Sequence, residues 1–157
     1  IGQPHISGYF FNKISHTQKQ PPKAATMIIG IGIDIVDLQR FRKRLSPELI
    51  QELFKPDEIA YCQTQHHNEE NFAGRFAAKE AAFKALGSGL EQGLRWHDVE
   101  IIKEESGAVR LGFYGRAAEL AAQKKMTHSH ISLSHSRSNA IAMVVLENNA
   151  KSPEEEP

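Results

Sequence analysis

The stretch Phe72-Ala-Gly-Arg-Phe-Ala-Ala-Lys-Glu-Ala-Ala-Phe-Lys-Ala-Leu-Gly-Ser-Gly89 decides the fold of this chain. Its apolar side chains recur at the spacing of an α-helix, and its high alanine content favours helix. One stripe carries the large apolar side chains and should face the core: Phe72, Phe76, Phe83 and Leu86. Gly87 is typical of the residue that follows a helix, so the segment 87–89 should be a loop with free backbone amides.

Polar residues on the same helix have two interpretations. Glu80 and Lys84 lie four residues apart, which is the spacing of an ordinary exposed salt bridge but also of a paired carboxylate and ammonium in a site. Lys79 projects near the apolar stripe, so it either reaches past the core edge or has a partner there. A neighbouring face carries only small side chains and should leave a wall against which a ligand can lie: Ala73, Ala77 and Ala81.

A strand is expected at Ile28-Ile-Gly-Ile-Gly-Ile-Asp-Ile-Val36, where apolar residues alternate strictly. The alternation places four isoleucines on one face, which we expect to be core: Ile29, Ile31, Ile33 and Ile35. The other face carries Gly30, Gly32 and Asp34, so another group should approach the backbone closely there. Asp34 is either a turn residue or part of a site.

A short basic helix is expected over Leu38–Leu45, with Asp37 as its N-cap. Its apolar side chains form one stripe, and the rest of its surface carries no acidic residue and four basic ones: Arg40, Arg42, Lys43 and Arg44. This surface is either a solvated face or a docking surface for an acidic partner.

The rest of the domain alternates between helices and strands. A helix is expected to start at Pro47, with Ser46 as its cap residue, and others are expected over Lys55–Gln65 and Tyr114–Lys125. The segment His66–Asn71 should be a polar link. Strands are expected in pairs, first at Val99–Lys103 with Val109–Phe113, then at His130–His135 with a central strand Ala140–Leu146. His135 occupies a core register in its strand, so it is either a satisfied core histidine or a ligand contact.

Composition indicates one globular domain within 157 residues. Lysine plus arginine equals aspartate plus glutamate at 19 each, which argues against a bulk affinity for nucleic acid or membranes. The single cysteine, Cys62, fits a reducing cytoplasm, and no apolar run is long enough to span a membrane. We expect residues 1–26 to be an N-terminal extension or expression remnant, 27–147 the domain, and 148–157 a disordered acidic tail.

Three sites therefore carry candidate chemistry: Asp34, the Glu80/Lys84 pair and His135. Two carboxylates without cysteines suit a hard cation such as Mg²⁺, which commonly shares substrate phosphates. Lysine, histidine and a glycine loop suit those phosphates.

Four blocks of the sequence carry a resemblance to a known family. They are Gly30-Ile-Gly-Ile-Asp-Ile-Val36, Phe72-Ala-Gly-Arg-Phe-Ala-Ala-Lys-Glu-Ala81, Lys84-Ala-Leu-Gly-Ser-Gly89 and Ile131-Ser-Leu-Ser-His-Ser136. Together they resemble the 4′-phosphopantetheinyl transferase superfamily, and within it the short bacterial holo-[acyl-carrier-protein] synthases. Two small departures are Ser88, where threonine is expected, and Leu133 within the last block.

The resemblance implies an α+β fold with an antiparallel sheet packed against helices. It implies Mg²⁺-dependent transfer of phosphopantetheine from coenzyme A to a serine of apo acyl carrier protein. This reaction would support fatty acid biosynthesis. It also implies a homotrimer with sites between subunits, in which one chain supplies Asp34 beside another chain's helix. The motif match also implies residue roles. Asp34 and Glu80 would hold the metal, and Glu80 and Lys84 would be catalytic. Lys84 and His135 would contact the coenzyme A phosphates, the coenzyme pocket would be lined by Arg75, Gly87, Ser88 and Gly89, and Arg40 and Arg44 would dock the carrier protein.

Alternatives remain at this point. One is a broad-range transferase that serves peptide or polyketide synthases, although such chains are commonly about twice this length. Another is a coenzyme A or nucleotide binder without chemistry, and a third is a docking module built on the basic helix. The general base is open as well, since Glu80 can accept the serine proton directly or through water.

Overall fold

The computed structural model describes residues 26–149, so the predictions for 1–25 and 150–157 lie outside the described residues. Five strands are described: β1 Thr26–Asp37, β2 Val99–Lys103, β3 Val109–Phe113, β4 His128–His135 and β5 Asn139–Asn149. The α-helices are α1 Leu38–Arg44, α2 Pro47–Leu53, α3 Pro56–Gln63, α4 Asn68–Leu86 and α5 Gly115–Gln123, with short 3₁₀ helices at Leu90–Gln92 and Trp96–Asp98. No helix between residues 26 and 149 has the length and apolar character needed to cross a bilayer.

The strands form two antiparallel sheets that pack with the helices in an α+β arrangement. The larger sheet has the order β1-β5-β4, and β2 pairs with β3 in a separate hairpin. The long helix α4 packs against β1 and β5 and contributes many of the buried apolar side chains of the core. The predicted fold class, the hairpin and the central position of β5 are therefore confirmed.

The glycine face of β1, and not its isoleucine face, packs on α4. A Cβ atom added at Gly30 would lie 2.1 Å from the backbone oxygen of Ala85, and one at Gly32 would lie 1.9 Å from that of Ala81. By contrast, three isoleucines of the other face are largely exposed in the single chain: Ile31, Ile33 and Ile35, at 59%, 54% and 62%. The expectation that these isoleucines are core is wrong for one chain, because α4 approaches so closely that only glycine fits beneath it.

The same packing covers the small-residue wall of α4. Ala73, Ala77 and Ala81 are completely buried inside the chain. The expectation that a ligand lies against this wall is therefore wrong, because the chain's own core occupies the space.

Local signals placed most element boundaries correctly. The Asp37 side chain accepts a hydrogen bond from the backbone N–H of Arg40 at 2.8 Å, and Ser46 caps α2 through the N–H of Leu49 at 3.2 Å. Two boundaries differ from the expectation by three residues or more. Helix α4 begins at Asn68, inside the expected polar link. Strand β5 continues through 148–149 in pairing with β1, so the expectation that the disordered tail starts at 148 is wrong.

Lys79 has a buried partner and does not reach solvent. Its Nζ lies 2.9 Å from a carboxylate oxygen of Glu58 and donates to the carbonyls of Trp96, at 3.0 Å, and Val99. The other Glu58 oxygen accepts the N–H of Ile101 at 3.1 Å. Burial lowers the pKa of Lys79, and the Glu58 carboxylate opposes this shift. The ion pair thus joins α3, α4 and β2 within the core.

Candidate active site

Asp34, Glu80 and Lys84 meet where β1 crosses α4. The Lys84 Nζ lies 2.7 Å from Oδ1 of Asp34 and donates a second hydrogen bond, of 3.0 Å, to the backbone oxygen of Ile33. Asp34 follows Gly32 on the face that packs against the helix, so the close strand–helix approach brings these side chains together. The expectation that one chain supplies Asp34 beside another chain's helix is therefore wrong, because Asp34 lies beside Glu80 and Lys84 of its own chain.

Glu80 is a half-buried carboxylate beside a second one. Burial raises its pKa, the Asp34 carboxylate raises it further, and the Lys84 ammonium opposes both effects. Among the residues described, Lys84 pairs with Asp34 and makes no ion pair with Glu80. The helical salt-bridge interpretation of Glu80 and Lys84 is therefore wrong, and a carboxylate is left that favours an added proton or cation.

A cleft of about 600 Å³ opens beside these two carboxylates. Asp34 and Glu80 belong to its wall together with an apolar group formed by Phe41, Leu49, Leu53, Phe76 and Trp96. The Phe76 ring packs against the Phe41 and Trp96 rings with centroid distances of 5.6 and 5.2 Å. The exposed side chains of Arg40, Arg44 and Glu52 also border the cleft.

Arg75 and His135 lie in a different cavity, of about 260 Å³, which shares no lining residue with the cleft. Arg75 is only 4% exposed, and its guanidinium lies 4.3 Å from the centre of the Tyr61 ring. Its Nε is buried and has no hydrogen-bond partner among the described residues. An almost buried cation with an unpaired donor indicates that this cavity suits an anion.

His135 ends β4 with its side chain 64% exposed, so the core-histidine interpretation is wrong. Its Nδ1 lies 3.7 Å from a carboxylate oxygen of Glu70, which borders the same cavity. Glu70 also forms an ion pair with Arg42 at 3.2 Å. Sequence spacing gave no sign of Glu70 or of Tyr61, since neither belongs to a periodic pattern of polar residues.

The glycine loop does not offer the free amides that we expected. Gly87 has a positive φ of 70°, as predicted for the residue after a helix, and its N–H donates to the Lys84 carbonyl at 3.0 Å. The Ser88 N–H donates to the Phe83 carbonyl at 3.1 Å, and the Gly89 N–H donates to the Gln92 side chain at 2.7 Å. These amides are used to close the helix end and the following turn, and the loop lines neither cavity.

The arginines of the basic helix α1 lie on two different sides of it. Arg42 pairs with Glu69 at 2.7 Å and with Glu70 at 3.2 Å, so it is tied to the start of α4. Arg40 and Arg44 are exposed at the border of the cleft. Arg40 and Arg44 are therefore the two bases of this helix that border the cleft, while Lys43 is exposed away from it.

Comparison with known proteins identifies the family. The model of the 4′-phosphopantetheinyl transferase superfamily matches residues 30–144. The chain belongs to this superfamily. It is 46% identical over 124 residues to a holo-[acyl-carrier-protein] synthase from Geobacter metallireducens, which covers 77% of this chain and 98% of that protein.

Solved structures of phosphopantetheinyl transferases share the fold. A holo-(acyl-carrier-protein) synthase from Bacillus anthracis, in complex with CoA (3′,5′-ADP), has 34% identity and a TM-score of 0.65 over 78% of this chain and 98% of that one. A holo-[acyl-carrier-protein] synthase from Helicobacter pylori, in complex with coenzyme A, has 32% identity and a TM-score of 0.64 over 74% and 98%. The resemblance and fold predicted from the sequence blocks are thereby confirmed.

Proposed function

We propose that this chain transfers the 4′-phosphopantetheine group of coenzyme A to a serine of apo acyl carrier protein, releasing adenosine 3′,5′-bisphosphate. The observation that carries the proposal is the cluster of Asp34, Glu80 and Lys84 at the edge of a cleft, in a chain of this superfamily. The reaction supports fatty acid biosynthesis, and the cytoplasm is the compartment that the sequence favours.

A divalent cation fits the two carboxylates. The pKa of Glu80 is raised partly because Asp34 lies beside it, and a cation between them would relieve this repulsion. Residues 26–149 contain no group of three or more histidine, cysteine or acidic side chains placed to hold a metal. Mg²⁺ suits such a site, because it usually takes one or two carboxylates and completes its shell with water and substrate phosphates. When bound, it would neutralise charge on the transferring phosphoryl group.

The chain's own residues supply positioning, charge and a proton acceptor. The carrier serine oxygen forms a bond to the β-phosphorus, and the bond from that phosphorus to the bridging oxygen breaks, so adenosine 3′,5′-bisphosphate leaves with the electron pair. Asp34 and the Ile33 carbonyl hold the Lys84 ammonium beside the two carboxylates, where it would stabilise negative charge on the phosphoryl oxygens. Glu80 accepts the serine proton, directly or through water, and the water route is favoured if the carboxylate also holds a cation.

The two halves of the coenzyme site belong to different copies of the chain in our proposal. Arg75 and His135 suit the phosphates of coenzyme A, yet they line a cavity separate from that of Asp34 and Glu80. The outer face of the large sheet is apolar and exposed at Ile31, Ile33, Ile35 and Met143. Burying such a face between copies is favourable, which supports a homotrimer with composite sites.

This assembly has a direct test. Ile33→Glu places a charge on the exposed face, on a side chain that lines neither cavity, and should convert trimers to monomers on light scattering with loss of transfer. Trimers of unchanged mass would contradict the use of this face. A monomer with full activity would contradict the shared sites.

Arg40 and Arg44 are the proposed docking residues for the acidic carrier protein. They border the cleft beside Asp34, so a carrier held there presents its serine near the carboxylates. Several exposed charges of one sign raise the association rate more than the affinity.

Mass spectrometry tests the activity itself. Mixing the protein with coenzyme A, Mg²⁺ and apo acyl carrier protein should add one phosphopantetheine to the carrier. Glu80→Gln keeps the shape of the side chain and should abolish transfer, whereas Glu119→Gln, an exposed change on α5, should not. Coenzyme A binding without any mass increase would support the non-enzymatic binder. Equal rates on carriers from peptide or polyketide synthases would support the broad-range transferase.

A further inference from the structure

The buried ammonium group of Lys79 has more partners than the Glu58 carboxylate alone. The side chain is completely buried, and its Nζ lies 2.9 Å from Oε2 of Glu58. It also donates hydrogen bonds to the carbonyl oxygens of Trp96, at 3.0 Å, and of Val99. An ammonium group has three protons, so these three acceptors use its whole capacity as a donor. Since the two carbonyls lie at the start of the 3₁₀ helix Trp96–Asp98 and directly after its end, Lys79 ties this short segment to α4.

The tied segment carries part of the cleft wall. The Trp96 ring packs against the rings of Phe76 and Phe83, with centroid distances of 5.2 and 5.3 Å. Phe76 lies about one turn before Glu80 on α4, and Phe83 lies about one turn after it, so the three side chains share one face of the helix. Trp96 and Glu80 line the same cleft. The position of Trp96 therefore sets the shape of the cleft beside this carboxylate.

Stability alone is a poor explanation for a buried ion pair at this place. Taking an ammonium and a carboxylate out of water is costly, and well-packed apolar residues of similar volume often give the same stability or more. Hydrogen bonds, by contrast, have preferred distances and angles, so three of them on one Nζ hold the surrounding segments in one arrangement. Lys79 directly precedes Glu80, so this arrangement includes the turn of α4 that carries the candidate catalytic carboxylate.

We propose that Lys79 is a positioning residue for the transfer reaction, because its ammonium holds Trp96 against α4 and thereby fixes the cleft wall beside Glu80. The proposal rests on the function proposed above and adds to it a residue that acts through Trp96 without lining the cleft. A displacement of about 1 Å near reacting groups can reduce a rate about a hundredfold. Loss of this hold should therefore lower the turnover number kcat, whereas a purely structural role would change only the amount of folded protein.

A paired substitution separates the two roles. Lys79→Met alone leaves the Glu58 carboxylate unpaired in the core, so its instability would hide an effect on catalysis. The paired variant, Glu58→Gln with Lys79→Met, removes both charges, and the glutamine amide oxygen can still accept the N–H of Ile101. The carbonyls of Trp96 and Val99 lose their donor. We expect kcat per folded molecule to fall about tenfold or more. The KM for coenzyme A should stay within about threefold, since neither substituted residue lines the smaller cavity.

The ion pair between Lys55 and Glu100 provides a matched control. Its Nζ–Oε2 distance is 3.1 Å, and it joins the residue before α3 to β2. Neither residue lines the cleft or the smaller cavity. The control variant, Lys55→Met with Glu100→Gln, makes the same chemical change at a pair outside the cleft wall. It should leave kcat and the KM for coenzyme A within about twofold of the parent values.

Trp96 reports on its own position, because it is the only tryptophan in the sequence. In the paired variant, without any substrate, Trp96 fluorescence should be quenched more strongly by acrylamide and should show a lower anisotropy than in the parent. The control variant should match the parent in both. A folded paired variant with the kcat of the parent would overturn the proposal. A lower kcat with unchanged Trp96 quenching and anisotropy would also overturn it, since Lys79 would then not act through Trp96.

If the paired variant does not fold, Glu58→Gln alone decides. This change keeps the shape of the core and weakens only the hold on the Lys79 ammonium, so Trp96 quenching should rise and kcat should fall together. A parent-like value of either would overturn the proposal. A parent protein without transfer activity on any carrier would instead reject the proposed function, and the fluorescence comparison would still test the hold on Trp96.

Discussion

Replacing Gly32 by alanine should disturb both the stability of the domain and the geometry of its site. The new Cβ would lie 1.9 Å from the backbone oxygen of Ala81, and real Cβ atoms essentially never approach closer than 3.0 Å. Strand β1 and helix α4 must therefore separate by about 1.1 Å at this point. Neither partner is a flexible side chain, so the backbone itself has to move.

Overpacking of this kind costs about 1–3 kcal/mol, which lowers the melting temperature of a domain of this size by roughly 4–12 °C. The same movement carries Glu80 and Lys84 away from Asp34 and lengthens the 2.7 Å contact between Lys84 and Asp34. A misplacement of about 1 Å in a catalytic group can reduce a rate about a hundredfold. The turnover number should therefore fall far more than the loss of folded protein explains.

A second glycine supplies the control. Gly74 lies inside α4, and a Cβ added there meets no atom within 4 Å. Gly74→Ala should raise stability by about 0.5–1 kcal/mol, because alanine is the better helix former. Melting curves and circular dichroism measure both variants. Transfer kinetics are measured on folded Gly32→Ala protein alone, because Gly74 lines the cavity of Arg75 and His135 and controls only for stability. A Gly32→Ala protein as stable and active as the parent would refute the packing of the glycine face on α4.

Three further predictions follow from the buried and exposed charges. Lys79→Met leaves the Glu58 carboxylate unpaired in the core and should lower the free energy of unfolding by about 3–5 kcal/mol. Arg116→Met, which breaks an exposed ion pair, should lower it by at most about 1 kcal/mol. Equal melting temperatures of the two variants would contradict the buried pair. The raised pKa of Glu80 means that the folded state binds its proton more tightly than the unfolded state does, so stability falls as pH rises from the ordinary value of 4.5 through the raised value. Glu80→Gln should therefore have a higher melting temperature than the parent at neutral pH, and added Mg²⁺ should raise that temperature less than it does in the parent. A lower melting temperature would argue against repulsion between the carboxylates of Glu80 and Asp34. The double variant Arg40→Glu with Arg44→Glu should raise the KM for carrier protein about tenfold or more at low salt and leave the KM for coenzyme A unchanged. In the parent protein, added salt should raise the KM for carrier protein and not the KM for coenzyme A. An unchanged KM for carrier protein with unchanged salt dependence would show that the helix is only a solvated face.

The sequence predicted those features that depend on local chemistry. The caps at Asp37 and Ser46, the helix end at Gly87 and the bounds of β2 and β3 follow from the preferences of a few adjacent residues. The choice between the two faces of β1 does not. Alternation shows which residues share a face, and hydrophobicity favoured the isoleucines, but a glycine face is also what a closely packed helix requires.

The candidate site shows the same division between short-range and long-range information. The helical spacing of Glu80 and Lys84 predicted a pair on α4, yet Lys84 bonds to Asp34, which lies far away in the sequence. The free amides predicted for residues 87–89 were wrong, because the helix end itself consumes them. Spacing within one element identifies which groups are available, and only the tertiary packing decides which partner each group takes.

The separation of the two cavities is the feature that best explains the exposed isoleucines. A chain that kept Arg75 and His135 beside Glu80 would have no need of a second copy, and its β1 strand could carry polar residues outside. Here the cavity of Arg75 and His135 lies apart from the carboxylates, while an apolar sheet face is exposed at Ile31, Ile33 and Ile35. The proposed trimer uses that face to bring one copy's cations to another copy's carboxylates. The alternation of isoleucine and glycine in β1 therefore provides for two contacts. Glycine admits α4, which sets Glu80 and Lys84 beside Asp34, and isoleucine supplies the apolar face that would contact the neighbouring chain in the proposed trimer.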